Sequence, residues 1–319
     1  MRPLKVTATS LALLFAATAC SSSGGLEINE VDIPEPLPQG ADFSPDLTEA
    51  TTEEDCGGFN RTESFDPGGV TAADARSELD DSDVIRIGVS QTTNLMGYRD
   101  PASGELGGFD VDIARELAKA IGGDDVNIRW VPMTSQDRVP ALENNEVDFV
   151  VRTMTMTCQR WESVDFSSEY YAATQRLLVD VNSGISGLSA LTEDHRVCSS
   201  AGSTSLPQII AETPAQAVTL DDFNDCISLL QRGTVDAFTT DDVILAGLST
   251  QDPNLEVVGD PIADEPYGVA VAKGNEDLVR FINATLENMR SDGRWDDVYD
   301  DWLSSTLGDS QPPKARYQD

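Results

Sequence analysis

Two stretches of the chain read alike. Residues 142–149 are LENNEVDF and residues 230–238 are LQRGTVDAF. Each starts as the end of a helix, breaks at a turn, and enters a strand that opens on Val-Asp: Val147-Asp148 in the first and, after Gly233, Val235-Asp236 in the second. A polar, Thr-rich stretch follows each strand, Thr153 to Thr157 and Thr239 to Asp242. The repeat predicts two similar lobes. In open α/β sheets ligands sit beyond the carboxyl ends of the strands, and both polar stretches fall there.

Outward from these stretches, strands and helices alternate, which implies parallel sheets covered by helices. A β-branched run at 84–89 predicts a strand. Asp110 can cap a helix whose Ala114, Leu117, Ala118 and Ile121 share a face, with Gly122-Gly123 as its stop. Strands are expected at 126–131 and 147–152, with a helix at 135–145 between them. Residues 71–81 predict a short helix before the first strand, and 276–291 a long one ended by Gly293. Trp295, Tyr299 and Trp302 then space as a helical stripe, which reads as packing. Residues 307–319 read as a loose tail.

The 319 residues carry 39% hydrophobic side chains, enough for two ordinary domains with tails. The formal net charge of −35 repels phosphate backbones, so nucleic acid is excluded as a partner. At the N-terminus Arg2 and Lys5 precede an apolar run and then Ala17-Thr18-Ala19-Cys20, a signal-peptide layout with Cys at the cleavage point. It resembles a bacterial lipobox, which implies loss of residues 1–19, lipidation of Cys20 and a place on the outer face of the cytoplasmic membrane. Residues 20–56 are rich in Ser, Gly, Pro, Glu and Asp and read as a flexible tether. Four cysteines remain and allow three pairings. Cys198 and Cys226, about 28 residues apart, are paired with each other, leaving Cys56 with Cys158; buried free thiols are the alternative.

A family pattern stands in order along the chain. GGFDVDIARELAKAIG (107–122), RVPALENNEVDFVVRTMTMTCQR (138–160), VDFSSEYY (164–171), AGSTS (201–205), VDAFTTDDVILAG (235–247), YGVAVAKGN (267–275) and DGRWDDVYDDWL (292–303) together resemble the family 3 solute-binding proteins of polar-amino-acid ABC transporters. In detail they look most like actinobacterial glutamate, glutamine and aspartate-binding lipoproteins, cysteine placement included. The resemblance implies a type II periplasmic-binding-protein fold, two α/β lobes joined by two crossing hinge strands. Mapped here, an N-terminal extension at 57–81 precedes lobe 1 at 82–174 plus 271–306, with lobe 2 at 180–266. It further implies a monomer whose lobes close on one free amino acid, delivered to an ABC permease. A sensory protein signalling through a membrane partner would carry the same pocket. An enzyme of the cyclohexadienyl dehydratase kind shares the fold, but a full amino-acid clamp argues against it.

Burying a carboxylate and an ammonium needs matched, hydrogen-bonded counter-charges. The resemblance places Arg160 on the ligand carboxylate, where its fork donates two parallel hydrogen bonds, with Thr153 and Thr155 adding contacts. Read alone, Arg160 is a solvated helix-start residue; the TMTMTCQR context reverses that. Ser203 and Thr204 open a helix, where free N–H groups suit an anion and where N-capping is the ordinary use. Asp241 matches the family's ammonium acceptor, or caps the following helix. Arg138 matches a position that faces the side chain of acidic ligands, and Arg152 either adds charge or alternates outward. Ser90, Thr93, Asn94 and Tyr98 follow the first strand, where the family lines the side-chain subsite. Arginines without nearby acids favour aspartate or glutamate, with asparagine and glutamine open. No cofactor and no metal are expected: His195 is the lone histidine, in a turn, and no glycine cluster forms a phosphate loop.

Overall fold

The computed structural model describes residues 37–47, 55–79 and 83–318. The signal segment at 1–19, Cys20 and the tether as far as residue 36 lie outside the described residues. Among the described residues no helix is long and apolar enough to cross a membrane.

The fold is the two-lobed, type II arrangement, built on two mixed sheets. In the first, strands Asn127–Pro132, Val84–Val89 and Phe149–Val150 run parallel in that spatial order, followed by Ala270–Ala272, antiparallel to the trio, and Val164–Phe166, antiparallel to Ala270–Ala272. In the second, Gln216–Leu220, Arg196–Ser200 and Ala237–Asp241 repeat the parallel trio, followed by Tyr171–Asp180, antiparallel to it, and Leu255–Val258, antiparallel to Tyr171–Asp180. The repeated Val-Asp has the same job in both. Asp148 accepts the N–H of Arg86 at 2.7 Å and Asp236 accepts that of Arg196 at 2.7 Å, each locking the third strand to the first. The chain crosses between sheets through Tyr171–Asp180 and returns through Asp264–Tyr267, and the two crossing strands pair antiparallel.

Apolar periodicity accounts for the helices. Phe109–Gly122 buries Val111, Ile113, Ala114, Leu117, Ala118 and Ile121, and Glu276–Asp292 buries Leu278, Ile282, Leu286 and Met289 against the same core. Trp295 and Tyr299 stack at 5.2 Å inside that core, so the aromatic stripe is packing. Thr71 and Asp74 form a reciprocal capping box on the short helix Ala72–Ser77.

Three expectations are corrected. The strand expected at 147–152 keeps ladder pairing only at Phe149–Val150, because the chain turns at Thr153, whose φ is +39°. The tether is not free over residues 37–47: Asp42 exchanges both backbone hydrogen bonds with Thr219 on the edge strand of the second sheet, and Phe43 and Leu47 pack on the cores. Covering that edge removes an open template for strand pairing. The C-terminal tail is also tied down, since Ser64 pairs with the 316–318 backbone and the Tyr317 hydroxyl donates to Glu287 at 2.9 Å.

Cys56 is joined to Cys158, and Cys198 to Cys226. The second closes a loop of 28 residues inside a fully buried core. Replacing Cys198 and Cys226 together with Ala should therefore lower unfolding free energy by about 3–4 kcal/mol, the chain-entropy value for a loop of that length. Urea titration of the two proteins measures it, and equal midpoints would remove this bond from the stability of lobe 2.

Candidate functional site

The carboxyl ends of the parallel strands in the two sheets face each other across a nearly filled cavity of about 10 Å³. Arg138, Thr153, Thr155 and Arg160 line it from the first lobe, and Ser203, Thr204 and Asp241 from the second. Residues far apart in sequence meet here because each lies at a strand's carboxyl end or in the loop or helix that follows it.

The first-lobe half is built on strain and its restraint. Thr153 sits in the left-handed region at φ +39°, unusual for a β-branched residue. Its N–H donates to Asp110 at 2.8 Å, and the Tyr170 hydroxyl donates to the other oxygen of the same carboxylate at 2.7 Å. Asp110 was expected to cap its helix. Gly108 holds the cap position instead, and the Asp110 side chain turns inward to hold this loop. Burial pushes its pKa up to about 6 against the hydrogen bonds of Tyr170 and Thr153 and the charges of Arg152 and Arg138.

Three guanidinium groups surround the loop. Arg160 follows Thr157, which caps the helix Cys158–Ser163 by accepting the Arg160 N–H at 3.1 Å. Its fork donates to Thr155 O at 2.7 Å and, across the cleft, to Gly202 O at 3.0 Å. Arg138 is buried and donates to the carbonyls of Ser135, Arg152, Thr153 and Gly202. Arg152 does not alternate outward. It donates to Met133 O and Ser135 Oγ, both at 2.8 Å, and lies 5.9 Å over the Phe223 ring. Burial lowers all three pKa values, that of Arg152 to about 10.

On the second lobe, Thr204 is the residue before helix Ser205–Glu212, yet its hydroxyl makes no cap bond. Ser203 Oγ lies 3.2 Å from Ser199 Oγ. Asp241 precedes helix Asp242–Ser249, likewise without a side-chain cap; its carboxylate accepts the Tyr267 hydroxyl, and burial and the neighbouring Glu265 raise its pKa. Glu265 escaped the sequence reading. It is buried on the returning hinge strand and accepts the hydroxyls of Thr155 and Thr204. A buried ionisable residue must be paired, but with exposed Asp264 beside it on the same strand nothing local marks Glu265 as the buried one. It also overturns the picture of arginines without nearby acids.

Of the residues after the first strand, Ser90 and Thr93 bond each other at 2.8 Å, and Asn94 donates across the cleft to Gly247 O at 3.1 Å. Tyr98 is exposed and lines a separate surface groove with Trp130 and Trp302, so it leaves the expected subsite. Further bonds cross the lobes: Thr92 to Asp222 at 2.7 Å and Gln136 to Asp221 at 3.2 Å. The lobes also approach closely at Gly202. Its φ is +72°, and a Cβ there would lie 2.6 Å from the Gln136 Cα.

Comparison with known proteins came to one family. The model of the bacterial extracellular solute-binding proteins, family 3, matches residues 85–305. The ABC transporter glutamine-binding protein GlnH of Bacillus subtilis is 40% identical over 231 residues, 72% of this chain and 85% of that protein. The glutamate-binding protein GluB of Corynebacterium glutamicum is 32% identical over 237 residues, 70% of this chain and 79% of that one. Among solved structures, an ancestral arginine-binding protein bound to glutamine superposes with a TM-score of 0.64 at 34% identity, covering 71% of this chain and 99% of that chain.

Two outcomes follow from the geometry. Gly202→Ala should force the lobes apart, because its methyl group would meet Gln136 of the other lobe; small-angle scattering would show a larger radius of gyration than wild type, and an equal one would refute the contact. Asp110 has its pKa raised from 3.8 to about 6, so its contribution is fully present below 3.8 and is lost as pH rises through about 6. Relative to Asp110→Asn, wild-type stability should fall by roughly 2–3 kcal/mol between pH 4 and pH 6 and run parallel above pH 7. Parallel urea curves throughout would disprove the shift.

Proposed function

Because the chain belongs to the bacterial extracellular solute-binding proteins, family 3, we propose that it captures one free amino acid between its lobes and passes it to an ABC permease. The observation that carries this reading is the pairing of opposite charges at one cavity. Arg160 with Thr155 and Thr204 stands on one side, and Asp241, backed by Tyr267, on the other. The first set suits an α-carboxylate and the second an α-ammonium, and neither pole alone would repay burial of the other group. Thr153 and Ser203 complete the carboxylate side through their positions on the two loops.

The ligand belongs to the set glutamine, glutamate, asparagine and aspartate, with glutamine first. Arg138 alone would favour a dicarboxylate, but four of its five N–H donors are committed to carbonyl groups. Asp110, Asp241 and Glu265 lie within electrostatic reach of Arg152, Arg138 and Arg160, respectively. Three cations against three carboxyl groups suit a ligand with no net charge. The names of the similar Bacillus and Corynebacterium proteins, glutamine-binding and glutamate-binding, support the set. Lipidation at Cys20 would keep the protein, working as a monomer, on the outer face of the cytoplasmic membrane.

Calorimetry with the four amino acids tests the site. Arg160→Ala and Asp241→Asn should each weaken binding by roughly two to three decades, the cost of breaking a buried pair. Wild-type affinity in either variant would sink the assignment of that residue.

A further inference from the structure

The hydroxyl groups of Thr155 and Thr204 belong to opposite lobes, and both donate to one carboxylate, that of Glu265. A hydroxyl has one proton to donate. Two of the groups placed around the ligand's carboxylate therefore already serve an internal one. The third, Arg160, is the cation that most offsets the burial of Glu265. Glu265 does not line the cavity; it lies behind Thr155 and Thr204, on the strand through which the chain returns between the lobes. That strand is held in turn: Met156 N–H donates to Pro266 O at 2.8 Å, and Arg61 of the N-terminal extension donates to Asp264 O at 3.1 Å. Thr204 stands at the start of its helix and leaves the helix N–H groups uncapped by its side chain. The hydroxyl gives up its ordinary local bond for one made 61 residues away in sequence.

We propose that Glu265 is an inter-lobe latch. It accepts a hydrogen bond from each lobe at a single buried carboxylate and so favours the closed arrangement before any ligand arrives. An incoming carboxylate must then draw the Thr155 and Thr204 hydrogen bonds away from Glu265, with a like charge one hydroxyl group behind its own position. Glu265 thereby disfavours ligands that carry a second negative charge. The selectivity part rests on the reading of Thr155, Thr204 and Arg160 as the carboxylate subsite; the latch itself does not.

The test uses the full chain, dialysed free of amino acids, with one spin label on the outer surface of each lobe. The wild type should show a short inter-lobe distance as a major population. Glu265→Ala should shift it to a longer one, and so should Thr204→Val, which removes one donor and leaves the carboxylate in place. An unchanged distribution in both variants overturns the latch, provided that circular dichroism shows them folded. Calorimetry with L-glutamine and L-glutamate then reads selectivity. Glu265→Gln should move the ratio of affinities toward glutamate by about tenfold, on the order of one pKa unit of charge interaction. An unchanged ratio overturns the charge effect, and an equal loss for both ligands would make Glu265 an ammonium anchor instead. If the wild type binds neither probe, the ligand reading fails and the distance measurement still decides the latch.

Discussion

Two guanidinium groups buried at the junction of two lobes, with a third half-buried beside them, set the terms for everything around them. Arg138 and Arg152 have left water and Arg160 has partly done so, and a buried cation is tolerated only when its donors and its charge are matched. The matching is done twice. Backbone carbonyls of Ser135, Met133, Thr153, Thr155 and Gly202 take the donors. The carboxyl groups of Asp110, Asp241 and Glu265 take the charge. Two of those carbonyls, of Thr153 and Thr155, lie on the loop that turns at Thr153, so local strain and buried charge support each other.

The hinge strands do more than connect. Asp264–Tyr267 delivers Glu265 to the two threonine hydroxyls and Tyr267 to Asp241, while its backbone receives Met156 and Arg61. A chain that merely joined two bodies would have no reason to bury an acid at the crossing. The N-terminal extension belongs to the same construction. Cys56 holds it to Cys158, the first residue of the helix that carries Arg160, and Trp161 of that helix donates to Arg61 O at 2.8 Å and packs edge-on against Phe59 and Phe65. The extension, the Arg160 helix and the returning hinge strand are thus linked by direct contacts.

The tertiary structure altered readings wherever a side chain had both a local and a distant partner available. Asp110, Asp241 and Thr204 all stand near helix starts, where local capping is the ordinary expectation. In the fold none of the three caps by its side chain. Each finds a buried partner elsewhere, Tyr170 and Thr153, Tyr267, and Glu265 in turn. A cap exchanges one solvated bond for another, whereas these bonds satisfy groups that have no water to return to, and the larger penalty decides.

By itself the sequence determined the alternation of strands and helices, the doubled lobe plan and the family, because periodicity and ordered motifs are carried by neighbouring residues. The repeated Val-Asp was legible as a repeat, and its meaning, a carboxylate bound to the N–H of the first strand, came from the sheet. Only the tertiary structure decided that the 37–47 segment covers a sheet edge, that Tyr98 faces solvent, and that Glu265 lies between the lobes. The reason is separation along the chain. Glu265 meets Thr155 across 110 residues and Thr204 across 61, and no local pattern encodes a contact whose two halves are brought together by the return of a hinge strand.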